Sequence, residues 1–275
     1  MRYLAPAKLN LFLHVIGRRA DGFHDIETVF QLVDLCDELE IETRMDGRIA
    51  RNPPPSDPTL AQLPAEEDLT WRAASLLQQA SGTPLGANIH VTKRIPSGGG
   101  LGGGSSDAAT VLLALNRQWG LGWSRERLVE LGLQLGSDVP VFIHGHSAWA
   151  AGRGERLVPV DLPTRWYLIV NPGVTVKTAE IFADAQLTRD TPASRIAALP
   201  AGGGRNDCEP VVRQRHAEVA AALDWLGARA DARLTGTGAC LFAAFDLAAA
   251  AQHIASQLPG KWSGYVVRGL NHAPN

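Results

Sequence analysis

The chain has 275 residues, enough for one large domain or two of ordinary size with ample core. Its 26 lysines and arginines against 28 aspartates and glutamates leave a net charge of −2, and with no basic run this excludes a nucleic-acid surface. No stretch approaches the roughly 18 uninterrupted apolar residues of a membrane-spanning helix, and Cys36, Cys208 and Cys240 lack C-x-x-C spacing, so they read as reduced thiols of a cytoplasmic protein.

In chain order, the first predicted element is a strand. Leu9, Leu11, Leu13 and Val15 alternate with Lys8, Asn10, Phe12 and His14, so Lys8 and Asn10 project from one face. The same two residues interrupt the apolar N-terminus, and no small-residue cleavage site follows it, so the segment does not read as a signal peptide. "IETVFQLV" (26–33) and "ELEIET" (38–43) follow as two strands separated by the turn-like "DLCD". "NPPPSDPTLAQLPAEED" (52–68), with five prolines, reads as an irregular connection. Asp68 stands where the N-cap of the helix "LTWRAASLLQQA" (69–80) belongs, and "ANIHVTKRI" (87–95) is a strand with Ile89 and Val91 on one face.

The next segment, "PSGGGLGGGSSDAAT" (96–110), has six glycines among the seven residues from Gly98 to Gly104. Glycine loses more conformational entropy on folding than any other residue, about 0.5–1 kcal/mol against alanine in a regular element. So dense a run marks either a tether or a place where a Cβ cannot be tolerated. The flanks argue against a tether, because a strand precedes it and Ser105, Ser106 and Asp107 are N-cap residues for the helix "AATVLLALNRQW" (108–119). A glycine-rich loop running into a helix start presents free N–H groups at the positive end of the helix dipole, which suits phosphate.

"SRERLVELGLQLG" (124–136) is a further amphipathic helix, and "SDVPVFIHG" (137–145) begins another, with Ser137 as cap and Pro140 in its first turn. Beyond residue 150, "RWYLIVNPG" (165–173) reads as a buried strand and "AALPAGGGRND" (197–207) as a loop. Asp207 is expected to cap one long helix through "EPVVRQRHAEVAAALDWL" (209–226). "RLTGTGACLFAAF" (233–245) reads as two strands about a tight glycine turn, and Asp246 as the cap of a last helix. The pattern is α+β, in two halves, 1–150 and 151–275, that mix strands and helices without strict βαβ alternation.

Three phosphate-binding motifs compete for the glycine-rich loop. It lacks the lysine of a P-loop. It satisfies G-x-G-x-x-G, as nearly any such run does, but turn-like "GLGWSRER" stands where the ribose-binding acid of a dinucleotide fold belongs. The whole string "PSGGGLGGGSSDAA" resembles the P-x-x-x-G-L-G-[GS]-[GS]-S-[SA]-x-A-A motif of the GHMP small-molecule kinases. "APAKLNLFLHV", "DGFHDIET", "LGSDVPVF", "NDCEP" and "LTGTGAC" occur in the order of one branch of that family, whose acceptor is a cytidine-diphosphate-linked methylerythritol.

The resemblance implies a two-domain GHMP fold, with an N-terminal ATP-binding domain (1–150), a C-terminal domain (151–275) and the active site in the cleft between them. It implies ATP along Pro96, Ser97, Gly98, Gly99, Gly100, Leu101, Gly102, Gly103, Gly104, Ser105 and Ser106, with Mg²⁺ bridging phosphate oxygens and no protein ligand set assigned to the metal. Asp138 corresponds to the family's base and Lys8 to its partner. By position alone Lys8 is equally a strand-edge lysine reaching solvent, and Asp138 an ordinary acid at a helix start. Asn10, Phe23, His24, Thr178 and Phe182 match the family's acceptor pocket, with cytosine between two rings. Taken singly, each phenylalanine also fits a core role. Phe23, Asp68 and Arg153 depart from the residues usual at those places. His144 and His146 form an H-x-H pair that reads as a solvated turn, for want of a third ligand nearby. Homoserine or mevalonate kinase chemistry, a non-catalytic nucleotide-binding module and a nicotinamide-dependent oxidoreductase are the competing readings.

Overall fold

The computed structural model describes residues 1–51, 62–193 and 204–274. Parts of the proline-rich connection and of the loop before Asp207 lie outside the described residues.

Two long strands organise the molecule: β1 (Arg2–Arg18) and β2 (His24–Arg44), paired antiparallel along their length. The "DLCD" segment is not a turn between strands. Pro6 pairs with Cys36 whereas its neighbour Ala7 pairs with Val33, so the extra residues of β2 form a bulge that bends the strand without ending it. Asp37, just past that bulge, is fully buried and accepts the backbone N–H groups of Arg94 and Ile95. These tertiary partners keep extended a segment whose local signal is a turn. A second register shift, between Asn10 and Leu13, turns β1 from one core to another. Leu9 packs with Ile95, Leu101 and Ile169, while Leu13 and Val15 pack with Leu168, Val170 and Leu241.

Around this pair lie β3 (Ile49–Ala50), β4 (Gly86–Thr92), β5 (Ala148–Gly152), β6 (Arg156–Pro159), β7 (Trp166–Asn171), β8 (Arg233–Leu234), β9 (Leu241–Phe245) and β10 (Ser263–Leu270). The path is β3-β4-β2-β10-β7-β9-β8, with β1 and β5 also on β2 and β6 on β5. The hairpin β5–β6 and strand β10 have no counterpart in the elements expected from sequence.

Helix α1 (Leu69–Ser81) begins where expected, the Asp68 side chain accepting the Thr70 N–H at 2.8 Å. Helix α2 (Gly103–Gln118) starts earlier than its serines suggest. Gly102 occupies the cap position, so Ser105, Ser106 and Asp107 lie inside the helix and do not cap it. Helices α3 (Arg125–Gly132) and α4 (Val139–His144) follow. Ser124 caps α3, but Asp138, not Ser137, precedes α4 and makes no side-chain cap bond. After α5 (Thr178–Ala183), the single helix expected after Asp207 is two, α6 (Glu209–Arg215) and α7 (Ala217–Gly227), separated at His216, whose backbone is extended. Asp207 does not cap α6. Its carboxylate accepts from Val15 N (2.8 Å), Thr191 Oγ1 (2.6 Å) and Arg205 Nε (2.7 Å), tying the loop to β1. Before α8 (Ala248–Ala255), Leu247 holds the cap position and Asp246 does not cap.

One core, under α1 and α2, gathers Phe30, Leu39, Ile41, Leu77, Leu112 and Leu115. Another gathers Leu168, Val170, Val211, Leu223 and Leu241 with Leu13 and Val15. The three cysteines are free and buried, and no helix among the described residues is long and apolar enough to cross a membrane.

Candidate active site

A cleft of about 1030 Å³ is lined by β1, by the loop and first turn before and within α2, by the residue before α4, by α5 and by the turn between β8 and β9. Lys8, Asn10, Phe23, His24, Pro96 through Ser105, Asp138, Thr178 and Phe182 all line it. Ser106 does not. Its side chain is wholly buried, and its hydroxyl has no hydrogen-bond partner among the described residues. Ser105 is the serine of this turn that faces the cleft.

The glycines shape a surface into which the chain folds closely. Gly100 has φ of +74°, and a Cβ there would sit 2.5 Å from the Thr235 carbonyl oxygen. Gly102 also has φ of +74°, and its Cβ would lie 2.9 Å from Phe142 Cζ and 3.2 Å from Lys8 Cε. An L side chain is strained at such φ even in open space. The loop is anchored from the far end of the chain: Cys240 N donates to the Gly99 carbonyl at 3.1 Å and Ala239 N to that of Gly98 at 3.4 Å. It is thus a rigid cradle ending on the unpaired N–H groups of a helix start.

Lys8 lies beside this cradle with 4% of its side chain exposed, and its ammonium faces Asp138 Oδ2 at 3.3 Å. It donates to Asn10 Oδ1 (2.5 Å) and to the Gly100 carbonyl (2.9 Å), so its three protons have three partners. Asn10 is held in turn by Thr28 Oγ1 (3.0 Å) and through its backbone by Thr235 Oγ1 (2.9 Å). Lys8 is therefore not a strand-edge lysine reaching solvent. Asp138, one-third exposed at 33%, is its partner on the open side.

At one end of the cleft, His24 packs its ring 5.1 Å from that of Phe182, and its Nε2 accepts from Arg189 Nε at 3.1 Å. Burial, with the charges of Arg189 and Arg18 adding to it, holds the His24 pKa below its ordinary value. The Arg189 guanidinium also donates to the carbonyls of Phe182 and Asp184, joining α5 to the His24 strand. Thr178 is hydrogen-bonded to Thr237 at 2.9 Å. Phe23 is 49% exposed and carries the Arg153 guanidinium over its ring at 4.1 Å.

At the other end, beneath α2, lies a buried ion cluster that sequence reasoning missed. Lys93 pairs with Asp37 and, at 2.8 Å, with Asp107. Burial opposes the charge on Lys93, but Asp107 and Asp37 outweigh it and raise its pKa. Burial pushes the Asp107 carboxyl up to about 7, against the pull of Lys93 and with the Asp37 charge adding to the rise. Lys93 is 14 positions from Asp107 and 56 from Asp37, so no local spacing marks the three. Asp68 is buried and bonded to Thr70 and Arg51, a helix cap beside the cleft. His146 packs edge-on against His272 at 4.1 Å. Among the described residues no three His, Cys, Asp or Glu side chains converge as a metal site.

Two family models match the chain: GHMP kinases N terminal domain over residues 68–146 and GHMP kinases C terminal over 191–264. The 4-diphosphocytidyl-2-C-methyl-D-erythritol kinase of Alkalilimnicola ehrlichii is 55% identical, over 97% of this chain and 90% of that protein. The protein of the same name from Halorhodospira halophila is 52% identical, over 98% and 93%. A crystal structure of 4-(cytidine 5'-diphospho)-2C-methyl-D-erythritol kinase superimposes with a TM-score of 0.84 at 32% identity, covering 98% of this chain and 99% of that one. A mevalonate kinase structure shares the fold alone, with a TM-score of 0.69 at 15% identity over 99% and 100% of the two chains.

Proposed function

The chain belongs to the GHMP kinases, and within them to the 4-diphosphocytidyl-2-C-methyl-D-erythritol kinase family, and we propose that it transfers a phosphoryl group from ATP to the 2-hydroxyl of that acceptor, in the non-mevalonate route to isoprenoid precursors. The observation that carries the reading is the Lys8–Asp138 pair, 3.3 Å apart, in one cleft with the glycine cradle and the His24–Phe182 rings. Donor, reacting pair and a flat pocket for a base thus share one space.

In this reading Asp138 takes the proton of the acceptor hydroxyl as its oxygen bonds to the γ-phosphorus and the bond to the ADP oxygen breaks. Lys8 offsets the negative charge on the attacking oxygen, and Asn10 holds Lys8 in place. Because all three protons of Lys8 are engaged, the incoming oxygen exchanges with its partner on the open side, Asp138. The cradle from Pro96 to Ser105 takes the phosphates of ATP; the buried Ser106 hydroxyl supports the turn without lining the cleft. Asn10 and Thr178 approach the acceptor's sugar portion, and Phe23, His24 and Phe182 its base.

A Mg²⁺ ion fits this donor set as a cation held chiefly by phosphate oxygens and water, since Asp138 is paired with Lys8, Asp37 and Asp107 are paired with Lys93, and no three ligating side chains converge among the described residues. The Ser105 hydroxyl is the cradle group suited to reach it, and such an ion would neutralise charge on the transferring group. We read residues 1–150 as the ATP-binding domain and 151–275 as its partner, a division supported by the α1–α2 core, whose buried members all come from the first part, and the protein as cytoplasmic and acting on small molecules. The decisive experiment is acceptor-dependent ADP release with the diphosphocytidyl acceptor, mevalonate and homoserine in parallel. Turnover of the first alone is expected; preference for either other acceptor overturns the assignment.

A further inference from the structure

Arg153 stands in the turn between β5 and β6, where Gly152 pairs with Ile26 two residues beyond His24. Its backbone is set by the turn: Gly154 N donates to the Ala151 carbonyl at 3.2 Å, and Arg153 N donates to Glu155 Oε2 at 2.6 Å. Glu155 is thus engaged with the backbone of Arg153, and the guanidinium forms no salt bridge among the described residues. Asp21, on the loop that carries Phe23, accepts from the Phe23 N–H at 3.1 Å and from Arg19 Nε at 3.2 Å. The Arg153 Nε is buried and has no hydrogen-bond partner among the described residues. Leaving a buried donor unmatched is costly, and more so for a charged group.

The position is informative as well as the charge. Arg153 lines the cleft with its guanidinium over the Phe23 ring, at the aromatic end. The same turn also reaches the reacting pair: a Cβ on Gly154 would lie 3.8 Å from the carbonyl oxygen of Ser137, the residue before Asp138, and 3.7 Å from Phe30 Cζ. Phe30 is the ring over which Lys8 Nζ sits at 5.4 Å. Arg153 therefore occupies the stretch between the base pocket and Lys8–Asp138. An acceptor whose base and reacting hydroxyl are joined through a diphosphate must lay that diphosphate along this stretch. The carboxylates lining the cleft are Glu67, Asp68 and Asp107 at the α1 and α2 starts, and Asp138, already paired; Asp21, on the Phe23 loop, feels the Arg153 charge but is hydrogen-bonded to Phe23 N and Arg19.

We propose that Arg153 binds the diphosphate of the acceptor with its guanidinium while packed over Phe23. The inference rests on the acceptor assigned above. Guanidinium donors match phosphate oxygens in pairs, which a lysine does not reproduce.

The test compares cytidine diphosphate with cytidine, by calorimetry with the donor site saturated by a non-hydrolysable ATP analogue. Wild-type protein should bind the diphosphate more tightly than the nucleoside. Arg153→Met keeps the length of the side chain and its contact with Phe23 but removes the charge. It should weaken the diphosphate by roughly 10–100-fold and the nucleoside far less, whereas Arg153→Lys should recover part of the loss. Equal losses for both ligands, no loss for either, or a wild-type protein that does not prefer the diphosphate would each overturn the proposal. If wild-type protein released no ADP with the diphosphocytidyl acceptor while Arg153→Met still lost its diphosphate preference, the kinase assignment would fail and the diphosphate site would stand.

Discussion

Lys8 and Asp138 form a unit whose members position each other. Asp138→Asn removes the proposed proton acceptor and Lys8→Ala the proposed stabilising cation, and general-base contributions are about 10²–10⁴-fold. Each variant is expected to lose kcat by that order with smaller changes in either KM, and the double variant to be little worse than the worse single one. Steady-state kinetics on the three proteins decide it, and losses that multiply would show two independent effects. Phe182 carries two duties, since it packs against the second core and also faces His24 across 5.1 Å. Stacking of a base on an aromatic is worth about 1–3 kcal/mol, so Phe182→Ala should raise acceptor KM roughly 5–150-fold, leave ATP KM nearly unchanged and also lower Tm. Phe182→Tyr, which keeps the ring face, should be mild. A Tm loss without a change in acceptor KM would make Phe182 a core residue only. His24 adds a pH dependence. Its folded pKa lies below the ordinary 6.5, through burial and then Arg189 and Arg18, so the unfolded chain takes up the proton first as pH falls. Its contribution to stability is whole above pH 6.5 and is lost below it, towards the folded pKa. Protonation also ends acceptance from Arg189, so acceptor KM should rise on the acid side. An NMR titration of the His24 ring with its midpoint at or above 6.5 contradicts this.

The glycine loop and α2 act as one element. The loop must keep its N–H groups turned to the cleft while Lys8, Phe142 and the 235–240 turn close over its other sides. Gly102→Val adds a branched Cβ at φ of +74°, within 2.9 Å of Phe142 and 3.2 Å of Lys8. The protein should still fold, because of the α1–α2 core only the Phe142 ring meets the new side chain, but ATP-analogue binding should be abolished and Lys8 displaced. Calorimetry with the analogue on the folded variant measures this, and unchanged affinity would falsify the cradle. The other elements show how strand identity depends on partners. β2 keeps running through "DLCD" because Asp37 pairs with Lys93 and accepts two backbone N–H groups from the turn after β4. The helix after Asp207 divides at His216 although its composition is helical on both sides.

The halves of the chain are interleaved. β10, near the C-terminus, pairs with β7 over Ser263–Arg268 and then with β2 at Gly269 and Leu270, while Leu13 and Val15 of β1 enter the second core. Neither core is closed without strands from the other half of the sequence. Thermal unfolding should therefore be one transition, with calorimetric and van't Hoff enthalpies in agreement. Two resolved transitions would show the halves to be independent. Saturation by an ATP analogue at 100 times its Kd adds about 2.7 kcal/mol and should move that single transition upward as a whole.

From residue order alone came the strand that places Lys8 and Asn10 on one face, the phosphate-suited loop entering a helix, the cap at Asp68 and the buried strand at 166–171. These depend on side-chain alternation, on helical spacing and on glycine's freedom at positive φ, all of which act within a few residues. The motif series likewise brought together residues that do line one cleft, from Lys8 to Phe182. Ser106 shows the limit: a serine one position from Ser105 is turned into the core, because α2 begins at Gly103 and rotates it inward. Asp207 shows it again, since a residue placed to cap the next helix instead binds β1 across 192 positions. The ion cluster under α2, the Arg153–Phe23 stack and the hold of Thr235 on Asn10 are likewise meetings of distant segments, the last across 225 positions. No spacing encodes such meetings. They follow from which backbone groups and charges remain to be matched once the strands have paired, and that is settled by packing.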